Sequence, residues 1–285
     1  MAWILHLIRN ASPNPIKMRN DMNYSRQRGF TLVEIAIVLV IIGLLLGGIL
    51  KGQQLISSAR VRNMADQNSG IQAAYFGFID RYRQIPGDML ATMAATAISS
   101  SVTVGGTADG GQNGRIDKWR EAGAVWSHLS AAGFINGTYT GATDDATGAL
   151  YAGGVLSGAV PGNAFQQPIF LGYTNDYTGD SPTVRMSYGY GAGVTAALLR
   201  ELDVKLDDGA PGTGVVRGTR STNLPGEAAL GGVDFGLNGD VIIWSTATGP
   251  SCVGTPADPS VASSASNAVY NVDSDNSRCN AVYLY

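Results

Sequence analysis

From Phe30 to Leu50 the chain runs 21 residues whose only charge is Glu34. A helix needs about 20 apolar residues to cross a bilayer core of roughly 30 Å, so this stretch is long enough to span a membrane. A carboxylate near the start of such a run costs a few kcal/mol in hydrocarbon unless a cation meets it. That cost makes Glu34 the most informative residue in the chain. A basic segment precedes the run and stops at Gly29.

The segment Arg28-Gly29-Phe30-Thr31-Leu32-Val33-Glu34, with the apolar residues to Leu46, resembles the N-terminal signature of type IV pilins and type II secretion pseudopilins. The resemblance implies that a membrane prepilin peptidase cuts between Gly29 and Phe30 and that the new Phe30 amine is methylated. It implies that Glu34 pairs with the Phe30 amine of a neighbouring subunit during assembly. Buried together, a carboxylate and an ammonium offset each other's desolvation, whereas either alone is penalised. The implied partners are the peptidase, other pilin or pseudopilin subunits, an inner-membrane assembly platform and membrane lipid. The implied location is the bacterial inner membrane, single-pass, with the head in the periplasm or outside the cell in a filament. The competing reading is an uncut signal anchor with Glu34 at the headgroup level.

Residues 1–29 read as a leader, with the true start expected at Met22, which leaves an eight-residue leader. Residues 30–52 are the expected membrane and assembly helix. Residues 53–86 are the second half of the stem, and residues 87–285 an extracytoplasmic head. Ile71, Ala74, Tyr75, Phe78, Ile79 and Tyr82 recur at helical spacing, and Pro86-Gly87 stops the helix. From Phe30 to Gln84 such a helix is about 80 Å long. Ser69-Gly70 is a candidate bend. Many family members carry a proline about 22 residues past the cut, where this chain has Lys51. The expected fold is therefore α+β and pilin-like: a long N-terminal helix packed by its second half on a loop-rich antiparallel β head.

Within the head, 87–117 reads as loop with a short strand at Val102–Val104. Lys118 to Ala132 reads as a helix closed by Gly133. Residues 136–163 read as surface loops. Strands are expected at Pro168–Tyr173, Thr183–Tyr190, Val241–Trp244 and the C-terminal Val282–Tyr285, with a helix at Val194–Leu202. Four short segments also look like bacterial prepilin-type proteins of this length: Gln84–Met89, Asn113–Ile116, Trp126–Leu129 and Lys205–Gly209.

Abundant glycine, 38 residues, with only 14% charged residues suits such a loop-rich head. The net charge of −3 divides into +4 over residues 1–29 and −7 over the rest. An acidic head is a poor match for nucleic acid, which rewards clustered Lys and Arg. Cys252 and Cys279 are the only cysteines. An oxidising periplasm would pair them, and the pair resembles the C-terminal disulfide region of type IV pilins; two free buried thiols are the other reading. Asp109, Asn113 and Asp117 partly match the oxygen spacing of a calcium loop, which fails at Gly111 and Arg120. Asp273 and Asp275 form a second acidic cluster, better matched by analogy to the calcium loop of major pseudopilins. No other cofactor is expected.

The histidines are His6, in the leader, and His128, and no nucleophile elbow, zinc motif or phosphate loop appears. Trp119, Trp126 and Trp244 read as core. The chain is expected to be a structural filament subunit with no catalysis. The runner-up is a single-span anchored periplasmic domain that binds a ligand or surface.

Overall fold

The structure is a computed structural model that describes residues 30–106, 112–141, 158–175, 177–191, 193–219, 252–259, 263, 265–274 and 279–285. The chain divides into two compact units, Met1–Lys51 and Gly52–Tyr285. Helix α1 (Leu32–Tyr82) supplies the described part of the first unit and opens the second. It runs unbroken through Lys51, Ser69 and Gly70.

In the second unit α1 buries Val61, Met64, Ala65, Asn68, Ile71, Ala74, Tyr75 and Phe78. Steps of three and four residues place these on one face, as the apolar spacing predicts. Phe78 is fully buried, with ring centroids 4.6 Å from Tyr82, 6.1 Å from Phe134 and 6.2 Å from His128. Asn68 is the polar member of the face. Its Oδ1 accepts a 2.9 Å hydrogen bond from the hydroxyl of Tyr285, the last residue. Buried polar groups persist where they are paired, and this pair fastens the C-terminus to the stem.

The head holds α2 (Ala91–Ala97), α3 (Trp119–Ala131) and α4 (Ala196–Leu206). Its main sheet contains β1 (Phe170–Thr174), β2 (Arg185–Gly189), β3 (Val216–Gly218) and β6 (Ala281–Leu284). The order is β1-β2-β6-β3, antiparallel throughout, with Tyr188 opposite Tyr283 and Val216 opposite Tyr283. The last strand thus sits inside the sheet rather than at its edge. Strands β4 (Val253–Gly254) and β5 (Val269–Tyr270) form a separate pair. The α+β, pilin-like architecture expected from the sequence is present.

Helix α3 ends in the pattern its glycine predicts. The Phe134 N–H returns to the Leu129 carbonyl at 2.9 Å and the Gly133 N–H to Ser130 at 3.0 Å, with Gly133 at φ 80°. That left-handed turn is the one glycine adopts without a Cβ penalty.

Three of the four short motif segments meet around the turn that ends the stem. Asp88 accepts from the Asn113 N–H at 3.2 Å and the Gly114 N–H at 2.9 Å. The Gly87 N–H donates to His128 Nδ1 at 3.0 Å. Gly87 has φ 92°, and a Cβ there would lie 2.4 Å from the Glu121 carbonyl of α3, so only glycine fits. Since Nδ1 accepts, Nε2 carries the proton, donating to the Val104 carbonyl at 2.8 Å. His128 is therefore a packed, neutral histidine, and burial pushes its pKa down to about 4.

A histidine held neutral when folded and titrating near 6.5 when unfolded stabilises the protein fully above pH 6.5. Its contribution, at most about 3 kcal/mol, falls away as the pH drops from 6.5 through about 4. Asp203 works in the opposite sense, because burial pushes its carboxyl up to about 6. Its term is favourable below about pH 4 and is lost as the pH rises through 6. Comparing urea midpoints of the parent and His128→Asn between pH 7.5 and 4 isolates the histidine. The parent is expected to lose more stability than the variant over that range; equal slopes would contradict this.

The sequence expectations need four corrections. Residues 91–97, read as loop, form α2. The segment is four alanines among seven residues, and alanine is the best helix former, but one buried residue, Ala94, leaves no stripe to read. Val102–Val104 is not a strand; both valines are buried, and the Val104 carbonyl meets His128 instead of a neighbouring strand. In the stretch read as surface loop, Ala159, Val160 and Asn163 are buried, and Asn163 Nδ2 donates to the Tyr190 carbonyl. Helix α4 begins two residues later than expected and runs four further, to Leu206. The expected strand Val241–Trp244 lies outside the described residues.

Candidate assembly site at the start of the long helix

Thr31 directly precedes the first residue of α1, and its Oγ1 accepts the backbone N–H of Glu34 at 3.2 Å. The Thr31 carbonyl takes the Ile35 N–H at 3.3 Å. Thr31 is thus the N-cap and Glu34 the third helical residue, the spacing of a capping box. A carboxylate in the first turn also faces the positive end of the helix dipole. The sequence reading singled out Glu34 for its charge and did not see that Thr31 sets where the helix begins.

Every residue from Phe30 to Lys51 is exposed, including Phe30 at 77% and Leu32 at 92%. The apolar window within α1 has a mean hydropathy of 2.8 with no residue buried. Water does not tolerate an apolar surface of this extent, so the helix needs lipid or other apolar helices around it. Length and composition suffice for a membrane span. Gly29 lies outside the described residues.

The other expected residues fall elsewhere. Cys252 and Cys279 form a disulfide, with Cα atoms 5.7 Å apart. Asn113 Nδ2 donates to Asp117 Oδ2 at 2.9 Å, while the Asp117 N–H donates to Glu121 at 3.0 Å. Asp273 is exposed; Asp109 and Asp275 lie outside the described residues.

An acidic group that sequence reading missed is Asp203, Asp207 and Asp208, whose oxygens lie within 4.8 Å of one another. Each is engaged. Asp203 accepts from the Tyr270 hydroxyl at 2.9 Å and the Gly209 N–H at 3.2 Å. Asp207 accepts from the N–H groups of Val215 and Val216, and Asp208 from Ala210 and Thr213. Together they tie the turn after α4 to β3. The signal was the Asp207-Asp208-Gly209 turn; the bond from Tyr270 to Asp203 spans 67 residues and leaves no local pattern.

The family described as the prokaryotic N-terminal methylation motif matches residues 24–50. That motif is the signature of type IV pilins and pseudopilins, and it ends where the exposed apolar run ends. No curated protein and no solved structure matches the chain. Over residues 24–50 the chain therefore carries the pilin-type N-terminal motif, which points to a pilin-like structural subunit. The same N-terminus and the apolar helix α1, the one such helix among the described residues, fit membrane anchoring.

Proposed function

We propose that this protein is a structural subunit of a type IV pilus-like or type II secretion pseudopilus filament. Prepilin peptidase cuts after Gly29, Phe30 is methylated at its new amine, and the subunit waits in the inner membrane with its head in the periplasm. It enters the filament when Glu34 meets the Phe30 ammonium of a neighbour. One observation carries this reading: the matched motif lies in register with a capped, fully exposed apolar helix that places Glu34 in its first turn. An ammonium and a carboxylate that meet in an apolar bundle relieve each other of an unpaired charge, and register follows from that pairing.

Intact-mass and peptide analysis of protein from cells with an active peptidase tests the processing step. The expected mature N-terminus is N-methylated Phe30, and the uncut precursor begins at Met22. A mature chain that still begins upstream of Phe30 would refute the processing. A precursor peptide containing Trp3 would refute the start while leaving the processing intact.

A further inference from the structure

We propose that the hollow beside the C-terminal half of α3 binds a neutral polyhydroxylated ligand, a sugar ring. The hollow holds about 300 Å³, at the small end of ligand pockets and suited to one or two sugar units. Three segments wall it. Helix α3 presents Ser127 and Ser130, the 101–103 segment presents Ser101 and Thr103, and the 137–140 segment presents Tyr139 between two threonines. The lining is apolar at buried Val102 and at Ala131, which sits exposed at the edge and carries only a methyl group.

Among the described residues, none that lines the hollow is charged. A phosphate, carboxylate or ammonium ligand would therefore find no ionic partner among these residues to offset its desolvation. Hydroxyls both donate and accept, which is what a ring of alcohols requires of its site. Ser130 Oγ spends its proton on the Ser127 carbonyl at 3.3 Å and keeps its lone pairs for a donor. Tyr139 adds an aromatic surface for the C–H side of a sugar and a hydroxyl for its rim. The ring packs against the chain at Gly137, where a Cβ would lie 2.8 Å from the tyrosine oxygen.

The walls are held from behind. Val125, Trp126 and Leu129 of α3 are fully buried. The 137–141 segment is fastened by Gly141 N–H to the Ala159 carbonyl at 3.1 Å. A pre-formed site loses less on binding than one that must be ordered first. This assignment does not depend on the filament reading, since it rests on the head alone.

The test uses the full chain in lauryldimethylamine oxide, a detergent without a sugar headgroup. Saturation-transfer NMR is recorded with galactose, glucose and N-acetylglucosamine in turn. Transfer to the ring protons of at least one is expected, with a dissociation constant in roughly the millimolar range. Ala131 is exposed on α3, so Ala131→Trp fills the hollow without disturbing the core. It is expected to lower affinity at least tenfold, as is Tyr139→Ala, with the melting temperature of Ala131→Trp unchanged. Absence of transfer from all three sugars overturns the proposal. So does equal transfer to the folded Ala131→Trp protein, which would mean contact elsewhere on the surface.

Discussion

Glu34→Ala is expected to leave a processed, membrane-resident, folded protein that no longer enters filaments. The substitution removes the one charge from the apolar run, so insertion into lipid becomes easier, not harder. The head is untouched, because the hydrogen bond at Glu34 is a local one from its backbone to Thr31, and that bond survives in alanine. What changes is the neighbour. The Phe30 ammonium would enter an apolar bundle with no carboxylate to meet it, and breaking a buried pair by removing one partner costs about 3–5 kcal/mol. That corresponds to a loss of roughly two to nearly four orders of magnitude in incorporation. Sheared-filament fractions and membrane fractions, probed for the same protein, check both halves. If Glu34→Ala is recovered in filaments at the parental level, the proposed pairing is wrong and the anchored-domain reading gains. Thr31→Val serves as a contrast: it removes the cap, worth about 1 kcal/mol, but keeps the charge, so its effect on assembly is expected to be far smaller.

How much of this was readable beforehand follows from what each feature needs from its neighbours in sequence. The apolar run, the stripe from Ile71 to Tyr82 and the α3 terminus at Gly133 are local patterns, and each appears where the sequence placed it. The Gln84–Met89, Asn113–Ile116 and Trp126–Leu129 segments were visible as motifs, but not why they recur together. They converge through Asp88 and His128, groups 25 to 41 residues from their partners. Strands β3, β4 and β5 have two or three residues each, too short for alternation to register. Helix α2 has propensity without a stripe. Asn68 breaks the apolar stem in the sequence and makes sense only once Tyr285 arrives from the other end of the chain. In the assembly site the chemistry of Glu34 was legible from its cost in lipid. The cap at Thr31 needed the helix start to be fixed first.

Removing the Cys252–Cys279 bond is expected to cost the head about 3 kcal/mol. The bond closes a loop of 27 residues in separation, and constraining an unfolded loop of that length is worth roughly that amount. Its position raises the consequence. Cys252 leads directly into β4, and the Asn271 N–H bonds back to its carbonyl at 3.0 Å. Cys279 donates its N–H to Val194 at 3.0 Å, two residues before β6, the strand held between β2 and β3. The bridge therefore ties the small β4–β5 pair to the strand on which the main sheet depends. Both cysteines are fully buried, so Cys252→Ala with Cys279→Ala also leaves two small voids, each adding to the loss. For a head of this size, about 3 kcal/mol corresponds to a fall in melting temperature of roughly 6–12 °C. Thermal melts of the full chain with and without reductant, beside the double variant, measure it. The variant is expected to melt somewhat below the reduced parent, and both below the oxidised parent, and amides of β6 are expected to exchange faster in both. A double variant that melts within 2 °C of the oxidised parent, a limit set at roughly 1 kcal/mol or less for a domain of this size, would show that the sheet holds its last strand without the bridge.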